Sequence, residues 1–134
     1  MLHVVNPAFL PFRIELKPGE PISDQVVYAV EKAIISGLLR PGTRFPSIRA
    51  ISQDLRIHPN TTQKAVTVLV DEGFLEVHPG IGTVVAKTMP TTGRSIEAIE
   101  KESERLILQA KRMRIKLDDL KRILDSEWKK LTNE

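Results

Sequence analysis

A chain of 134 residues, 28% of them charged and 41% hydrophobic, has the composition of a soluble globular protein, which excludes a wholly disordered one. Its length suits one compact core with a small appendage, so we expect no large ligand-binding domain. The absence of cysteine excludes disulfides, iron–sulfur clusters, thiolate metal sites and cysteine nucleophiles. No apolar run approaches the roughly 18 residues of a membrane span. The first 12 residues contain no Lys or Arg that could begin a signal peptide, so we expect a cytoplasmic protein.

Positive charge is concentrated in one segment of the chain. The net charge is only +3, from 20 Lys and Arg against 17 Asp and Glu, and by itself says little about a partner. Between Arg40 and Lys64, however, five basic residues accompany a single acid, Asp54. This local excess gives the segment a modest positive charge, of the kind found on nucleic-acid-binding surfaces.

Prolines and glycines change in frequency near residue 90. All nine prolines lie at or before Pro90, and only Gly93 of the seven glycines lies beyond it. We therefore predict four regions. They are an N-terminal arm over residues 1–20 with one short strand at 12–16, a core domain over 21–88, a linker over 89–94 and a helical tail over 95–134.

Three helices are predicted in the core domain. The first has apolar residues at the helical period, with Ser23 as its cap and an end near Gly37. The second, about nine residues long, follows Ser47, whose side chain is a natural N-cap. The third begins at Pro59, because proline suits the first helical position, and it stops at Gly73.

The outward face of the third helix is polar and nearly free of acids. Its residues are Asn60, Gln63, Lys64 and Thr67. On an isolated helix, such a face is most simply solvated. Two short helices joined by a tight turn, the second carrying amide, hydroxyl and ammonium groups, are however typical of a helix-turn-helix with its recognition helix.

Two short strands around a glycine-containing tip are predicted after the third helix. They span residues 74–78 and 83–86. A hairpin in this position is a wing. Gly80 and Gly82 either serve the turn alone or also let the backbone pass close to another surface.

Several motifs of this region occur together in one order. They are the PG turn, the PSIR segment, the HPNTTQKA start of the third helix, the EGFLE step and the PGIGT wing. This order resembles the winged helix-turn-helix domain of the GntR family of bacterial transcription regulators. The resemblance covers residues 21–87, and the short helical tail resembles the YtrA-like branch, whose members carry a two-helix dimerisation tail. It implies a mainly α fold with a small β-wing (α+β) and a C-terminal helical tail.

The resemblance also implies which residues contact DNA. Arg49, in PSIR, matches a family arginine that reaches a base edge, where a guanidinium can form two hydrogen bonds with guanine. Ser47 matches a phosphate contact at a helix N-terminus. Gly80, with Gly82 beside it, matches the wing glycine that approaches the minor groove. Asn60, Thr61 and Gln63 match the end of the third helix that reads bases. Arg44 and Lys64 are expected to neutralise phosphate charge.

The start of the third helix departs from the family pattern. Many relatives have an arginine where this chain has Pro59, and a basic residue where it has Gln63. Because glutamine favours adenine over guanine, the base preference should differ. His58 stands where a better helix cap is usual, and we expect Asn60 to share the capping.

The tail carries a sustained heptad of apolar residues. Only Glu127 interrupts the series: Ile96, Ile99, Ser103, Leu106, Ala110, Met113, Leu117, Leu120, Leu124 and Leu131. The pattern itself predicts one long coiled-coil helix. The family resemblance favours a break near residues 114–116, where relatives have a glycine, and hence a two-helix hairpin. Either geometry predicts a homodimer. Its interface residues are then Ile99, Leu106, Met113, Leu117, Leu120 and Leu124.

Together these features predict a sequence-specific transcription regulator that binds double-stranded DNA, and by family habit a repressor acting as a homodimer on a palindromic operator. The alternative is a winged-helix protein-interaction module, against which the basic segment and the polar helix face argue. An enzyme is disfavoured, because His3, His58 and His78 lack metal-ligand spacing and no nucleophile–base pair is visible. We expect no catalytic residue, metal or cofactor. A small-molecule effector is left open, and it would lie between the domains or at the dimer seam.

Overall fold

The computed structural model describes residues 3–4, 14–88 and 96–132. Along the chain these residues form β1 (His3–Val4), β2 (Glu15–Leu16), α1 (Ile22–Ile35), α2 (Ile48–Leu55), α3 (Pro59–Asp71), β3 (Leu75–His78), β4 (Gly82–Val85), α4 (Ile96–Arg112) and α5 (Leu117–Thr132). The predicted mainly α fold with a small β-wing is confirmed. Two compact units, Met1–Pro90 and Thr91–Glu134, divide the chain. The predicted linker, residues 89–94, lies outside the described residues.

The arm contributes a short strand to the first unit. β1 and β2 pair antiparallel, with His3 opposite Leu16 and Val4 opposite Glu15. Within the strand predicted at 12–16, Ile14 and Leu16 are buried in the core and Glu15 is exposed, as the alternation indicates. Residues 12 and 13 of that strand are outside the part of the chain that the structure describes.

Helix α1 begins one residue earlier than its predicted cap. Pro21 occupies the cap position without a side-chain hydrogen bond, and the Gln25 amide donates to the Pro21 carbonyl at 3.2 Å. Ser23 is therefore inside the first turn, with its side chain against the core, and its prediction as the cap is wrong. The end of the helix is as predicted, because Gly37 follows it with a positive φ of 84°.

The core of the first unit lies among α1, α2, α3 and the inner face of the hairpin. Its most deeply buried side chains come from all four parts: Val26, Val30, Ile51, Leu55, Leu69, Leu75 and Val85. Truncating one of the buried leucines to alanine would cost about 2 to 5 kcal/mol. The surface of this unit therefore rests on a scaffold with little freedom to shift.

The wing is larger than the predicted hairpin. β3 and β4 pair antiparallel, with Leu75 opposite Val85 and His78 opposite Gly82. Residues 42–45 add a third segment along the free edge of β4. The Val85 amide donates to the Thr43 carbonyl at 2.9 Å, and the Phe45 amide donates to the Thr83 carbonyl at 2.8 Å. The segment just before α2 thus belongs to the wing sheet.

The tail consists of two helices, α4 and α5, separated by a turn, so the predicted break is present and the single long helix is wrong. The turn has the hydrogen bonds of a Schellman motif. The Ile115 amide donates to the Ala110 carbonyl at 2.9 Å, and the Arg114 amide donates to the Lys111 carbonyl at 3.0 Å. Arg114 takes the left-handed position, with φ of 60°, that a glycine usually fills.

We expect Arg114→Gly to raise the free energy of unfolding of the tail by about 1 kcal/mol, because a left-handed conformation costs a non-glycine residue about that much. Thermal unfolding at a fixed protein concentration measures the change. Arg112→Gly is the matched control and should destabilise by a similar amount, since Arg112 is in the last helical turn of α4. Equal destabilisation by both substitutions would contradict the strain at Arg114.

Candidate nucleic-acid interface

Two buried hydroxyls hold α2 and α3 together in the helix-turn-helix. The Ser52 hydroxyl lies 2.8 Å from the Thr62 hydroxyl, and it lies 2.7 Å from the Ile48 carbonyl, to which it donates. Both side chains are buried, and Thr62 is completely so. Because a buried hydroxyl without a partner is costly, this contact favours one arrangement of the two helices. Sequence analysis did not identify either residue.

We expect Ser52→Ala to lower the free energy of unfolding by about 1 to 3 kcal/mol, because the Thr62 hydroxyl loses its partner in a dry environment. Urea denaturation of Ser52→Ala, Thr62→Val and the double variant completes a cycle. The double variant should lose less than the two single losses added together, since it leaves neither hydroxyl unpaired. Strictly additive losses would show that the two hydroxyls act independently.

The two residues of the PSIR segment that are predicted to contact DNA lie at the N-terminus of α2. The Ser47 hydroxyl accepts a hydrogen bond from the Ala50 amide at 3.1 Å, which confirms the predicted cap and leaves its O–H free to donate outward. Arg49 is exposed and makes no hydrogen bond or ion pair with any residue that the structure describes. Since a cation at a helix N-terminus is opposed by the helix dipole, the charge of Arg49 does not stabilise α2 in the free protein.

The first turns of α3 present the predicted reading end. The His58 side chain caps this helix, because its Nδ1 accepts the Asn60 amide at 3.1 Å. The expected sharing of the cap by the Asn60 side chain is therefore wrong, and that exposed amide group has no hydrogen-bond partner among the described residues. Gln63 Nε2 donates to the Thr67 hydroxyl at 3.2 Å, so this side chain is held along the helix. Lys64 is exposed, and Thr61 is half-buried.

The wing tip has an open glycine backbone. Gly80 and Gly82 have φ of 78° and 108°, which only glycine adopts without strain. A Cβ added at either would meet no atom within 4 Å, so conformation rather than crowding requires glycine there. Arg44, predicted as a phosphate neutraliser, is placed beside this tip, because its Nη2 donates to the Ile81 carbonyl at 2.7 Å.

The predicted dimerisation residues are mostly exposed in the single chain. Ile99 is 67% exposed and Met113 is 64% exposed. Leu106, Leu117 and Leu124 are exposed as well. Leu120 is only 8% exposed and Ala110 is also buried, so the single chain leaves little of either side chain for a partner. Further exposed apolar residues widen the tail surface: Ile107, Leu108, Ile123 and Trp128.

A helix-turn-helix with an attached three-segment wing and an exposed, basic polar surface defines the class of winged helix-turn-helix proteins. Comparison with known proteins agrees with this class. Residues 22–85 match the family model of the bacterial regulatory proteins of the gntR family. Residues 22–85 are therefore a GntR-family helix-turn-helix domain, and the relatives of the chain are named transcription regulators, which are not enzymes.

Similarity to relatives extends into the tail. The chain is 28% identical over 110 residues to the HTH-type transcriptional repressor YtrA of Bacillus subtilis, covering 81% of this chain and 85% of YtrA. It is 27% identical, with a TM-score of 0.51, to the structure of YtrA from Sulfolobus acidocaldarius, a GntR-family transcription factor, covering 86% and 94% of the two chains. A transcriptional antiterminator from Listeria monocytogenes shares the fold at a TM-score of 0.74 and 23% identity, covering 90% and 91%.

No helix in the described ranges is long and apolar enough to cross a membrane. No cluster of three or more potential metal ligands occurs among the same residues.

Proposed function

We propose that this DNA-binding transcription regulator acts as a repressor and binds a palindromic operator as a homodimer. The observation that carries the proposal is the pair of exposed polar surfaces at the N-termini of α2 and α3, two helices that the buried Ser52–Thr62 contact joins. The repressor role rests on the similarity to YtrA of Bacillus subtilis, which is named a repressor.

Each surface residue has a role that its chemistry and surroundings support. The free guanidinium of Arg49 reads a guanine edge through two hydrogen bonds. The Ser47 hydroxyl donates to a phosphate at the N-terminus of α2. Asn60, Thr61 and Gln63 contact base edges from the start of α3, and the side-chain amides of Asn60 and Gln63 suit adenine. Lys64 neutralises a phosphate and does not specify sequence.

The homodimer is supported by the apolar surface of the tail. Ile99, Leu106 and Met113 form a stripe along α4 and its end that a single chain leaves in water, and pairing with another helix would bury it. The charges of α4 suit a second copy of the same helix. Residues 97–104 hold four acids and one lysine, whereas residues 105–112 hold three basic residues and no acid. Antiparallel pairing across a two-fold axis would place opposite charges together.

Selection of bound sequences from random double-stranded DNA tests the proposal. We expect the selected sites to be palindromic, with half-sites about one helical turn or a multiple of it apart. Placement of the selected site upstream of a reporter gene then tests repression. Recovery of unenriched sequences would favour the alternative, a winged-helix module that binds proteins, and activation of the reporter would contradict the repressor role.

A further inference from the structure

The wing tip has no positive charge of its own. Residues 79–82 are Pro, Gly, Ile and Gly. In the strands beside the tip, His78 Nε2 lies 3.0 Å from Glu76 Oε2, so any charge on that imidazole faces a carboxylate. A wing of this composition has little electrostatic attraction for a polyanion such as DNA.

Arg44 brings a cation to the tip from a distant part of the sequence. It is 37 positions from Ile81, and its main chain pairs opposite Val84 on the edge of β4. The guanidinium donates one N–H to the Ile81 carbonyl at 2.7 Å, and its other N–H groups are unpaired among the residues that the structure describes. A neutral carbonyl fixes the position of the group without cancelling its charge.

The surroundings of this cation are suited to a narrow groove. Gly80 and Gly82 carry no side chain beyond the backbone, and the space around both is open. The minor groove of B-DNA is about 6 Å wide, and narrow A·T tracts have the strongest negative potential, which attracts inserted or adjacent arginines. A thin glycine tip with a fixed guanidinium beside it matches this shape and this charge.

We propose that Arg44 is a positioning and charge-supplying residue of the wing, which braces the tip and directs it to the minor groove of A·T-rich DNA. This inference rests on the proposed binding to double-stranded DNA. In this role Arg44 makes the protein prefer DNA with a narrow minor groove. A residue that only neutralises phosphates would not give such a preference.

Three full-length variants separate the brace from the charge. Arg44→Met occupies similar space without charge or N–H donor, whereas Arg44→Lys keeps both. Arg40→Met is the matched control, because Arg40 is an exposed cation of the same turn without a side-chain contact to the wing in the described structure. The probes are two duplexes of equal length, one with A-tracts and one of G·C pairs, titrated over a range of salt. Hydrogen exchange of the peptide that spans the wing reports its order without DNA.

We expect Arg44→Met to speed exchange in the wing, to lower the slope of log affinity against log salt by about 0.9 and to abolish the preference for the A-tract duplex. Arg44→Lys should restore the slow exchange and the preference. Arg40→Met should leave both unchanged.

Unchanged wing exchange in Arg44→Met, or the same A-tract preference in Arg44→Met and Arg40→Met, would overturn the proposal. So would a lysine variant that behaves like the methionine variant. Failure of the unmodified protein to enrich any sequence from random double-stranded DNA would overturn the proposed function itself. DNA binding that is the same in the Arg44 variants as in the unmodified protein would overturn only this inference.

Discussion

Removal of all residues after Met89 is expected to leave a folded, monomeric winged domain that binds its operator about 10² to 10⁴ times more weakly than the full chain, because the two half-sites are no longer linked through one dimer. The domain should fold, since nearly all described core residues lie within residues 14–86. Analytical ultracentrifugation measures its mass, and titration with the selected duplex measures its affinity.

Full-length variants separate the loss of the dimer from the loss of the tail. Leu106→Glu introduces a charge into the apolar stripe of α4 and should also give a monomer with weak binding. Lys101→Glu makes a charge change at an exposed residue outside the heptad seam, and it should remain a dimer. A truncated chain that stays dimeric would place the main interface in the winged domain.

Arg49→Ala is expected to cost about 1 to 3 kcal/mol of binding free energy on the preferred operator, and much less on an operator in which the contacted guanine is replaced. The reason is the unpaired, exposed guanidinium at the N-terminus of α2, which has no other partner in the described structure. The loss is therefore specific to one base pair. The measurement is titration of the variant against matched and substituted duplexes.

Lys64→Ala is the comparison for Arg49→Ala and should behave differently. As a phosphate neutraliser on α3, Lys64 should contribute similarly to all sequences, and its removal should lower the salt slope by about one. Unchanged operator affinity in Arg49→Ala would exclude its direct contact with DNA. Equal losses on every duplex would assign Arg49 to the phosphate backbone.

Signals that act within one turn of the chain could be predicted from the sequence. Ser47 caps α2, Pro59 begins α3 and Gly73 follows its end, because each residue type has a conformational preference that needs no distant partner. The prediction of Ser23 as a helix cap used the same kind of local preference, and it was wrong. Its hydroxyl makes it a good cap in isolation, but α1 begins directly after Pro21, which leaves Ser23 buried inside the first turn.

Contacts between distant segments could not be predicted in the same way. Residues 42–45 are too few to show an alternation, and only their pairing with β4 makes them part of a sheet. The types of residue at the reading end of α3 were visible in the sequence, whereas the placement of Arg44 at the wing tip was not. The turn at Arg114 likewise has no local signal, since arginine is rarely left-handed.

The pairing of residues 42–45 with β4 makes the wing and the start of the helix-turn-helix one cooperative folding unit. Bringing together segments about 40 residues apart costs chain entropy, so we expect the wing sheet to form after α1 to α3 have brought its edges together. The Val85 amide is fully buried and bonded to Thr43, and it is released only when the two segments separate. We expect a chain that opens there to lose the wing and the segment that leads into α2 together, so that one partial opening removes two of the predicted DNA contacts.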